Sequence, residues 1–230
     1  FAMVLWMLKS SSLRPWMPRR WLRSPDWKCL RRLLSVGMPA SVQMLCEVSA
    51  FSAAGLLMGR FGADAMAAHQ IAITLAGTAF MIPLGLSMAL TVRTGEALGS
   101  GERARLPAVA LSGWILVAAY AVLGGSCFLI FGPWIASLFT SAPEVIQLTA
   151  SLLVIVGIFQ LFDGLQVASS AMLRGLRDAR LPALIGFLSY WVVGLPVSAG
   201  LSFGLGMEAR GVWWGLAAGL FVACITLGPR

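Results

Sequence analysis

The sequence predicts an all-α membrane protein, a polytopic bundle of six transmembrane helices. Of its 230 residues, 59% are apolar and only 11% are charged, and the mean hydropathy is +0.86. A soluble domain carries about 25% charged residues, and one core of this size cannot enclose so many apolar side chains. Six spans of about 20 residues each would expose them to lipid. The composition also excludes disordered, collagen-like and disulfide-scaffold proteins.

Six long apolar runs supply the predicted helices. They cover residues 36–58, 66–92, 107–131, 145–173, 182–204 and 210–227. Each can cross a hydrocarbon core of about 30 Å at about 1.5 Å per residue. Lipid offers the backbone no hydrogen bonds, and the runs lack the alternation of barrel strands, so we expect helices.

Two segments precede the first run. Residues 1–8 are apolar but too short to span, and we expect them to be the tail of a truncated transmembrane helix. Residues 9–35 hold eight of the 17 basic residues and three tryptophans, which predicts a basic cytoplasmic linker. The same residues suit a specific site for anionic lipids. Residues 36–230 then form a six-helix lobe, and the sequence is expected to be a fragment.

The basic residues predict one orientation. Fifteen of the 17 lie in the linker, the second and fourth gaps and the C-terminus, whereas the opposite gaps hold only Arg60 and Arg210. The positive-inside rule therefore places both ends in the cytoplasm of a multi-pass protein of the cell inner (plasma) membrane. The net charge of +8 thus reports topology and predicts no nucleic-acid partner.

Prolines mark irregular positions. Pro83 and Pro196 lie well inside the second and fifth runs, where each frees a backbone carbonyl and bends the helix. Such a bend serves as a hinge or as a static kink, and the sequence leaves both open. Pro39 and Pro182 are expected in the first turns of their helices, as start signals.

Two carboxylates lie in the middle of apolar runs. Glu47 is at the centre of the first run and Asp163 a turn beyond the centre of the fourth. An acidic side chain at mid-bilayer costs about 2.5–3.5 kcal/mol on insertion scales, so each should face a cavity or a partner. The alternative is a structural role in which both are protonated and join helices by hydrogen bonds.

Helical spacing groups other polar and aromatic residues with the two acids. Gln43 and Phe51 lie one turn from Glu47, whereas Phe159, Gln160 and Gln166 lie within a turn of Asp163. Such surroundings suit a water-filled pocket for a cation. Na⁺ would use the oxygen atoms, and H⁺ would need a carboxyl group in apolar surroundings. No other metal and no cofactor are expected.

Enzyme signatures are not found in the sequence. The sole histidine, His69, near the outer end of the second span, is more typical of helix packing than of a ligand, and no His and Cys group has metal-ligand spacing. The glycine-containing segment 93–99 lacks the lysine of a phosphate-binding loop. Glycines at four-residue spacing in the last run, at 211, 215 and 219, predict close helix packing.

A series of short blocks resembles the multidrug and toxic compound extrusion (MATE) family, in family order. The blocks are Gly37-Met38-Pro39-Ala40 leading to Glu47, Ala67-Ala68-His69-Gln70-Ile71, Pro83-Leu84-Gly85-Leu86-Ser87, Val92-Arg93-Thr94-Gly95-Glu96-Ala97-Leu98-Gly99, Phe159-Gln160-Leu161-Phe162-Asp163-Gly164-Leu165-Gln166, Leu173-Arg174-Gly175-Leu176-Arg177-Asp178, and Ser189-Tyr190-Trp191 with Gly194-Leu195-Pro196. Together they cover about residues 30 to 227.

The resemblance implies a transporter of twelve spans in two six-helix lobes, and this chain is similar to the second lobe of the NorM-type branch. It implies a missing N-terminal lobe of the same protein as partner, and export of cationic, often aromatic drugs in exchange for Na⁺ or H⁺. The family's second-lobe cation residues fall on Glu47 and Asp163. A tyrosine that the family often has one turn before the aspartate is Phe159 here, which offers no hydroxyl ligand.

Aromatic residues are the remaining candidates for contact with a cationic drug. Through cation–π contact, Phe51, Phe80, Phe159, Phe162 and Tyr190 could line a substrate cavity, although aromatics in membrane bundles usually pack. The predicted function is half of a secondary multidrug antiporter. Two alternatives stay open: a flippase for lipid-linked saccharides, which would favour basic residues within the spans, and a membrane scaffold that transports nothing.

Overall fold

A computed structural model describes residues 26–228 of the chain. The expected helix tail at residues 1–8 and most of the expected linker, up to residue 25, lie outside the described residues. The chain divides into two units, residues 1–34 and 35–230. The described part of the first unit is the start of a helix, and the second unit contains the helical bundle.

Six helical spans, each long and apolar enough to cross a membrane, make up the described residues, which include no strand. They are α1 (Trp27–Met58), α2 (Ala63–Gly99), α3 (Leu106–Ser137), α4 (Pro143–Gly175), a fifth span over residues 180–204, and α7 (Glu208–Leu227). The prediction of an all-α, six-span membrane bundle is confirmed.

The fifth span changes helix type three times. It consists of α5 (Arg180–Phe187), a π-helical segment Leu188–Gly194, α6 (Leu195–Ala199) and a second π-helical segment Gly200–Gly204. π-Helical turns are rare in proteins, and those that do occur are often found at functional sites. Pro196 lies in the short α-helix between them, whereas α2 continues as an α-helix through Pro83.

The helices extend beyond the predicted runs. The first helix begins at Trp27, inside the predicted linker, because the Asp26 carboxylate accepts hydrogen bonds from the backbone N–H groups of Lys28 (2.9 Å) and Cys29 (3.4 Å) as an N-cap. Pro39 therefore lies inside α1, and its predicted place in the first turn was wrong. Pro182 does lie in the first turn of α5.

Four arginines that were expected in gaps between spans lie in α-helices instead. Arg93 lies within α2 and Arg174 in the last turn of α4, whereas Arg180 and Arg210 lie in the first turns of α5 and α7. Apolarity sets the length of a predicted run, but a helix continues into the headgroup region until a residue ends it. After α2, Gly101 takes a left-handed conformation at φ 78° and closes the turn.

The fourth span is the centre of the bundle, because α4 packs against α2, α3 and α7. The core formed there is rich in small residues, which allow close approach between helices in lipid. Gly157 of α4 meets Gly125 of α3 so closely that a Cβ on Gly157 would lie 3.0 Å from the Cα of Gly125. This packing fixes which face of α4 points away from α3.

The sequence predicts close helix packing at the glycines of α7, and in the structure these glycines face serines of the fifth span. A Cβ on Gly211 would lie 2.6 Å from the backbone nitrogen of Ser202, and one on Gly219 would lie 2.6 Å from the carbonyl oxygen of Ser189. The Ser198 hydroxyl also donates to the carbonyl oxygen of Val212 at 2.9 Å. The two last spans thus touch backbone to backbone.

Candidate functional site

A cavity of about 450 Å³ opens between α1, α2 and α4. Its lining includes both intramembrane carboxylates and three aromatic rings, and we call it the acidic cavity. The lining residues are Glu47, Val48, Phe51, Ser52, Gly55, Met66, His69, Gln70, Ile73, Ala76, Gly77, Phe80, Phe159 and Asp163. The volume lies within the range of about 300–1,000 Å³ that is usual for small-molecule sites.

Helical periodicity accounts for this lining. On α1 the residues Glu47, Phe51 and Gly55 are four apart, so they follow one face of the helix. On α2 the lining residues run from Met66 to Phe80 at spacings of three and four. One face of each helix therefore forms one wall, with carboxylates at one end and His69 at the other.

Asp163 and Glu47 are the two carboxylates that line the acidic cavity. The Asp163 side chain is only 6% exposed, and its Oδ1 atom has no hydrogen-bond partner among the described residues. Glu47 is half-buried and lies within electrostatic range of Asp163. A buried acceptor without a partner is costly, which marks the pair as a place where a proton or cation would be stabilised.

One basic side chain, which the sequence did not predict at this place, lies near Glu47. Arg174, in the last turn of α4, acts electrostatically on Glu47. The ion pairs of the described residues join Arg93 to Glu96 and Arg105 to Glu102, and none joins these two. Glu47 is therefore influenced by a cation without being neutralised by a direct salt bridge.

Tyr190 brings a hydroxyl group to the two carboxylates. Its side chain is 1% exposed, and it lies in electrostatic contact with Glu47 and Asp163. The hydroxyl faces Glu47, but its geometry does not complete a hydrogen bond to a described residue. The Tyr190 ring lies 6.1 Å from that of Phe51, which in turn lies 5.9 Å from Phe159. Tyr190 packs against Phe51, which lines the acidic cavity, but Tyr190 itself does not line it.

The first π-helical segment holds α1 at the level of Glu47. Trp191 follows Tyr190, and its indole N–H donates to the carbonyl oxygen of Cys46 at 3.2 Å. A π-helical turn widens the helix, so neighbouring residues reach the same partner helix more easily than in an α-helix. Tyr190 and Trp191 accordingly contact consecutive residues of α1.

Replacing Trp191 by Phe is expected to lower the free energy of unfolding by about 1 kcal/mol, because it removes one neutral hydrogen bond. The corresponding fall in Tm, measured in detergent, is about 2–4 °C. Trp134, which is 63% exposed on α3 and whose indole makes no such bond, provides the control Trp134→Phe. Equal shifts for the two variants would contradict the role assigned to the Trp191 bond.

Three predicted glutamines lie outside the cavity lining. Gln43 packs against Gly186 of the fifth span, and Gln160 faces Gly124 of α3, with neither amide atom of Gln160 paired. Gln166 is buried and donates to the Ser170 hydroxyl at 3.4 Å. Each glutamine supports the packing next to an acid, and a role in ion binding stays a prediction.

Two further lining residues, His69 and Gln70, were not assigned to the site by sequence. His69 is 3% exposed, its Nδ1 atom has no partner among the described residues, and its ring lies 5.7 Å from that of Trp213. His69 therefore both packs against Trp213 and lines the acidic cavity. The signal that could have found both residues is the α2 stripe that contains Phe80, because His69 and Gln70 lie on its face.

The family model MatE matches residues 39–199, a segment that contains the acidic cavity and most of the six spans. The chain belongs to the MatE family.

Curated relatives with similar sequences are described as NorM proteins. The chain is 43% identical over 211 residues to a "Probable multidrug resistance protein NorM" of Agrobacterium fabrum, covering 90% of this chain and 45% of the relative. A protein of the same description from Xylella fastidiosa is 39% identical over 237 residues, covering 99% and 50%.

Solved MATE transporters share the fold. The eukaryotic MATE transporter AtDTX14 matches with a TM-score of 0.87 at 22% identity, over 98% of this chain and 50% of that one. A mutant of the Vibrio cholerae MATE transporter VcmN also matches with a TM-score of 0.87, at 23% identity and the same coverage. The chain thus spans about half the length of the relatives and structures that it matches.

Proposed function

We propose that this chain is one half of a secondary active exporter that exchanges Na⁺ or H⁺ for cationic, often aromatic drugs. The description of its NorM relatives as probable multidrug resistance proteins supports this assignment. The single observation that carries it is the acid pair Glu47 and Asp163 opening on an aromatic-lined cavity inside a membrane bundle. In a scaffold that transports nothing, the acids would be expected to hydrogen-bond across helices, whereas the Asp163 Oδ1 atom has no partner among the described residues.

The chemistry of the acidic cavity fits a small hard cation. Carboxylate oxygens of Glu47 and Asp163 are ligands of the type that such ions prefer. Although Phe159 offers no hydroxyl, the buried hydroxyl of Tyr190 lies within electrostatic range of both carboxylates. A proton would instead be held by the Asp163 carboxyl, whose Oδ1 has no other partner among the described residues.

The aromatic part of the same cavity suits the drug. Phe51, Phe80 and Phe159 offer ring faces and edges to an organic cation, and such contacts stabilise by about 0.5–2 kcal/mol each. Ion and drug then compete for one negatively charged space. Because each has a different affinity in the inward-open and outward-open forms, influx of one drives efflux of the other.

Movement within this half is assigned to two spans. The fifth span, interrupted by π-helical segments around Pro196, and α2, which contains Pro83, are the candidates. We place both ends of the chain in the cytoplasm and the protein in the plasma membrane, with a second six-helix lobe of the same protein completing the drug path. Transport of this kind needs no covalent chemistry and no cofactor.

The test is dye efflux from cells that express the complete gene product and lack other exporters. Efflux of a fluorescent organic cation is expected to accelerate when an inward gradient of Na⁺ or of H⁺ is imposed. Media with Na⁺ or with K⁺ in its place, at acidic and alkaline external pH, separate the two coupling ions. Efflux that stays unchanged when both gradients are collapsed would contradict the proposal.

A further inference from the structure

A second concave site lies beside the C-terminal part of α2, past the residues of that helix that line the acidic cavity. A groove of about 570 Å³ runs between the C-terminal part of α2 and the N-terminal part of α3, and it shares no lining residue with the acidic cavity. We call it the α2–α3 groove. Its walls are apolar, formed mainly by Leu86, Ala89, Leu90, Ala97, Val109 and Leu116.

Charged side chains of both signs line one end of the α2–α3 groove. Arg93 pairs with Glu96 at 3.4 Å, and Arg105 pairs with Glu102 at 2.9 Å. All four side chains are exposed, and exposed pairs of this kind stabilise a protein very little. A ligand that offers a cation and an anion can therefore replace these pairs at little cost.

The position of the groove matches the depth profile of a lipid leaflet. The helix α2 has 37 residues, so its length of about 55 Å exceeds the hydrocarbon thickness of about 30 Å. Its last turns, with Arg93 and Glu96, then lie at the level of the headgroups, whereas Leu86 and Leu116 lie at the level of the acyl chains. Leu116 is 56% exposed and faces outward from the bundle.

We infer that the α2–α3 groove binds one phospholipid with a primary ammonium headgroup, of the phosphatidylethanolamine class. The phosphate accepts hydrogen bonds from the guanidinium groups of Arg93 and Arg105, and the ammonium donates to the carboxylates of Glu96 and Glu102. An acyl chain lies along the leucine wall. The equal number of positive and negative groups at the rim favours a zwitterionic headgroup.

Other lipids meet only part of this pattern. Phosphatidylglycerol offers the phosphate but no cation for the two glutamates. The carboxylates of Glu96 and Glu102 therefore repel its negative charge. Phosphatidylcholine carries a cation without N–H groups, which cannot donate hydrogen bonds to a carboxylate. Both should bind through the acyl chain and phosphate alone, and hence more weakly.

The test uses the complete gene product, purified in detergent and mixed with defined lipids of identical acyl chains. Native mass spectrometry then counts bound lipids as a function of concentration. We expect phosphatidylethanolamine to bind about tenfold more tightly than phosphatidylglycerol or phosphatidylcholine, since the ammonium adds charge-assisted hydrogen bonds.

Two variants locate the binding. The double variant Glu96→Gln with Glu102→Gln should lower phosphatidylethanolamine binding to the level of phosphatidylcholine. Leu116→Trp should fill the groove and weaken the binding of all three lipids. The matched control is Leu123→Trp, at another exposed leucine two turns further along α3 and outside the groove, which should change nothing.

Three results would overturn the inference. The first is binding of phosphatidylglycerol that equals or exceeds that of phosphatidylethanolamine. The second is a preference for phosphatidylethanolamine that persists in the double variant Glu96→Gln with Glu102→Gln. The third is a cross-link between Leu116→Cys and the other half of the protein, which would show that protein covers the groove. None of these results depends on drug efflux, so the inference and the proposed function can fail separately.

Discussion

Asp163→Asn in the complete gene product is expected to abolish ion-coupled drug efflux. The Asp163 side chain is 6% exposed, its Oδ1 atom has no partner among the described residues, and it lines the acidic cavity with Glu47. Asparagine keeps the shape of the side chain but neither carries the charge nor takes up a proton. Losing about 3 kcal/mol of cation stabilisation weakens ion binding about a hundredfold, so ion-coupled efflux should fall to the background level.

Glu47→Gln is expected to act in the same direction but less strongly. Glu47 is half-buried and has Arg174 within electrostatic range, so part of its charge is already balanced. We expect about a tenfold loss of efflux rate. Dye efflux under an imposed ion gradient measures both variants, with expression checked on membranes.

The matched control for the two acid variants is Glu144→Gln. Glu144 lies in the first turn of α4, exposed and outside the acidic cavity, so efflux should stay at the level of the unmodified protein. Unchanged export by both Glu47→Gln and Asp163→Asn would reject the acid pair as the coupling site. A loss of expression in either variant would instead assign that acid to a structural role.

Gly215→Ala is expected to give the largest loss of stability of any glycine-to-alanine change among the described residues. A Cβ at this position would overlap the backbone and the hydroxyl of Ser198 in the fifth span. Backbone atoms cannot move aside as a flexible side chain can, so the two spans must separate. We expect a cost of about 3 kcal/mol and little folded protein in size-exclusion chromatography.

The control for this effect is Gly200→Ala. Gly200 lies in the second π-helical segment, and a Cβ there would meet no atom within 4 Å. Its Tm should stay close to that of the unmodified protein. A Gly215→Ala variant that folds and melts like Gly200→Ala would contradict the close packing of the last two spans.

The effect of Gly215→Ala should also reach the acidic cavity. The fifth span carries Tyr190 beside Glu47 and Trp191 on the carbonyl oxygen of Cys46. Any displacement of this span changes the surroundings of Glu47. Residual folded protein is therefore expected to show weaker ion coupling than its abundance alone would explain.

Much of the candidate site was predictable from the residues. An acid at mid-bilayer is expensive, so Glu47 and Asp163 stood out by their position alone, and both line one cavity. The phenylalanines Phe51, Phe80 and Phe159 followed from spacing and resemblance, and they line it too. In contrast, Gln160 was grouped with Asp163 by its three-residue spacing, yet it faces Gly124 of α3.

The difference arises from the direction in which each side chain points around the helix axis. Two residues three apart on an α-helix point about 60° away from each other, which is enough to separate a cavity wall from a helix interface. Sequence spacing identifies a stripe, but the packing of neighbouring helices decides where its edge lies. The close contact of Gly157 with Gly125 turns the Gln160 side of α4 toward α3.

The amino-acid sequence by itself determined the number of spans and the two acids among them, because hydrocarbon imposes a minimum apolar length and penalises each buried charge. Only the tertiary structure decided the partners of those acids. Tyr190 and Trp191 reach α1 through a π-helical segment that no periodicity indicated, and Arg174 approaches Glu47 from another helix. Contacts of this kind depend on the rotation and register of whole helices, which many weak packing interactions set together.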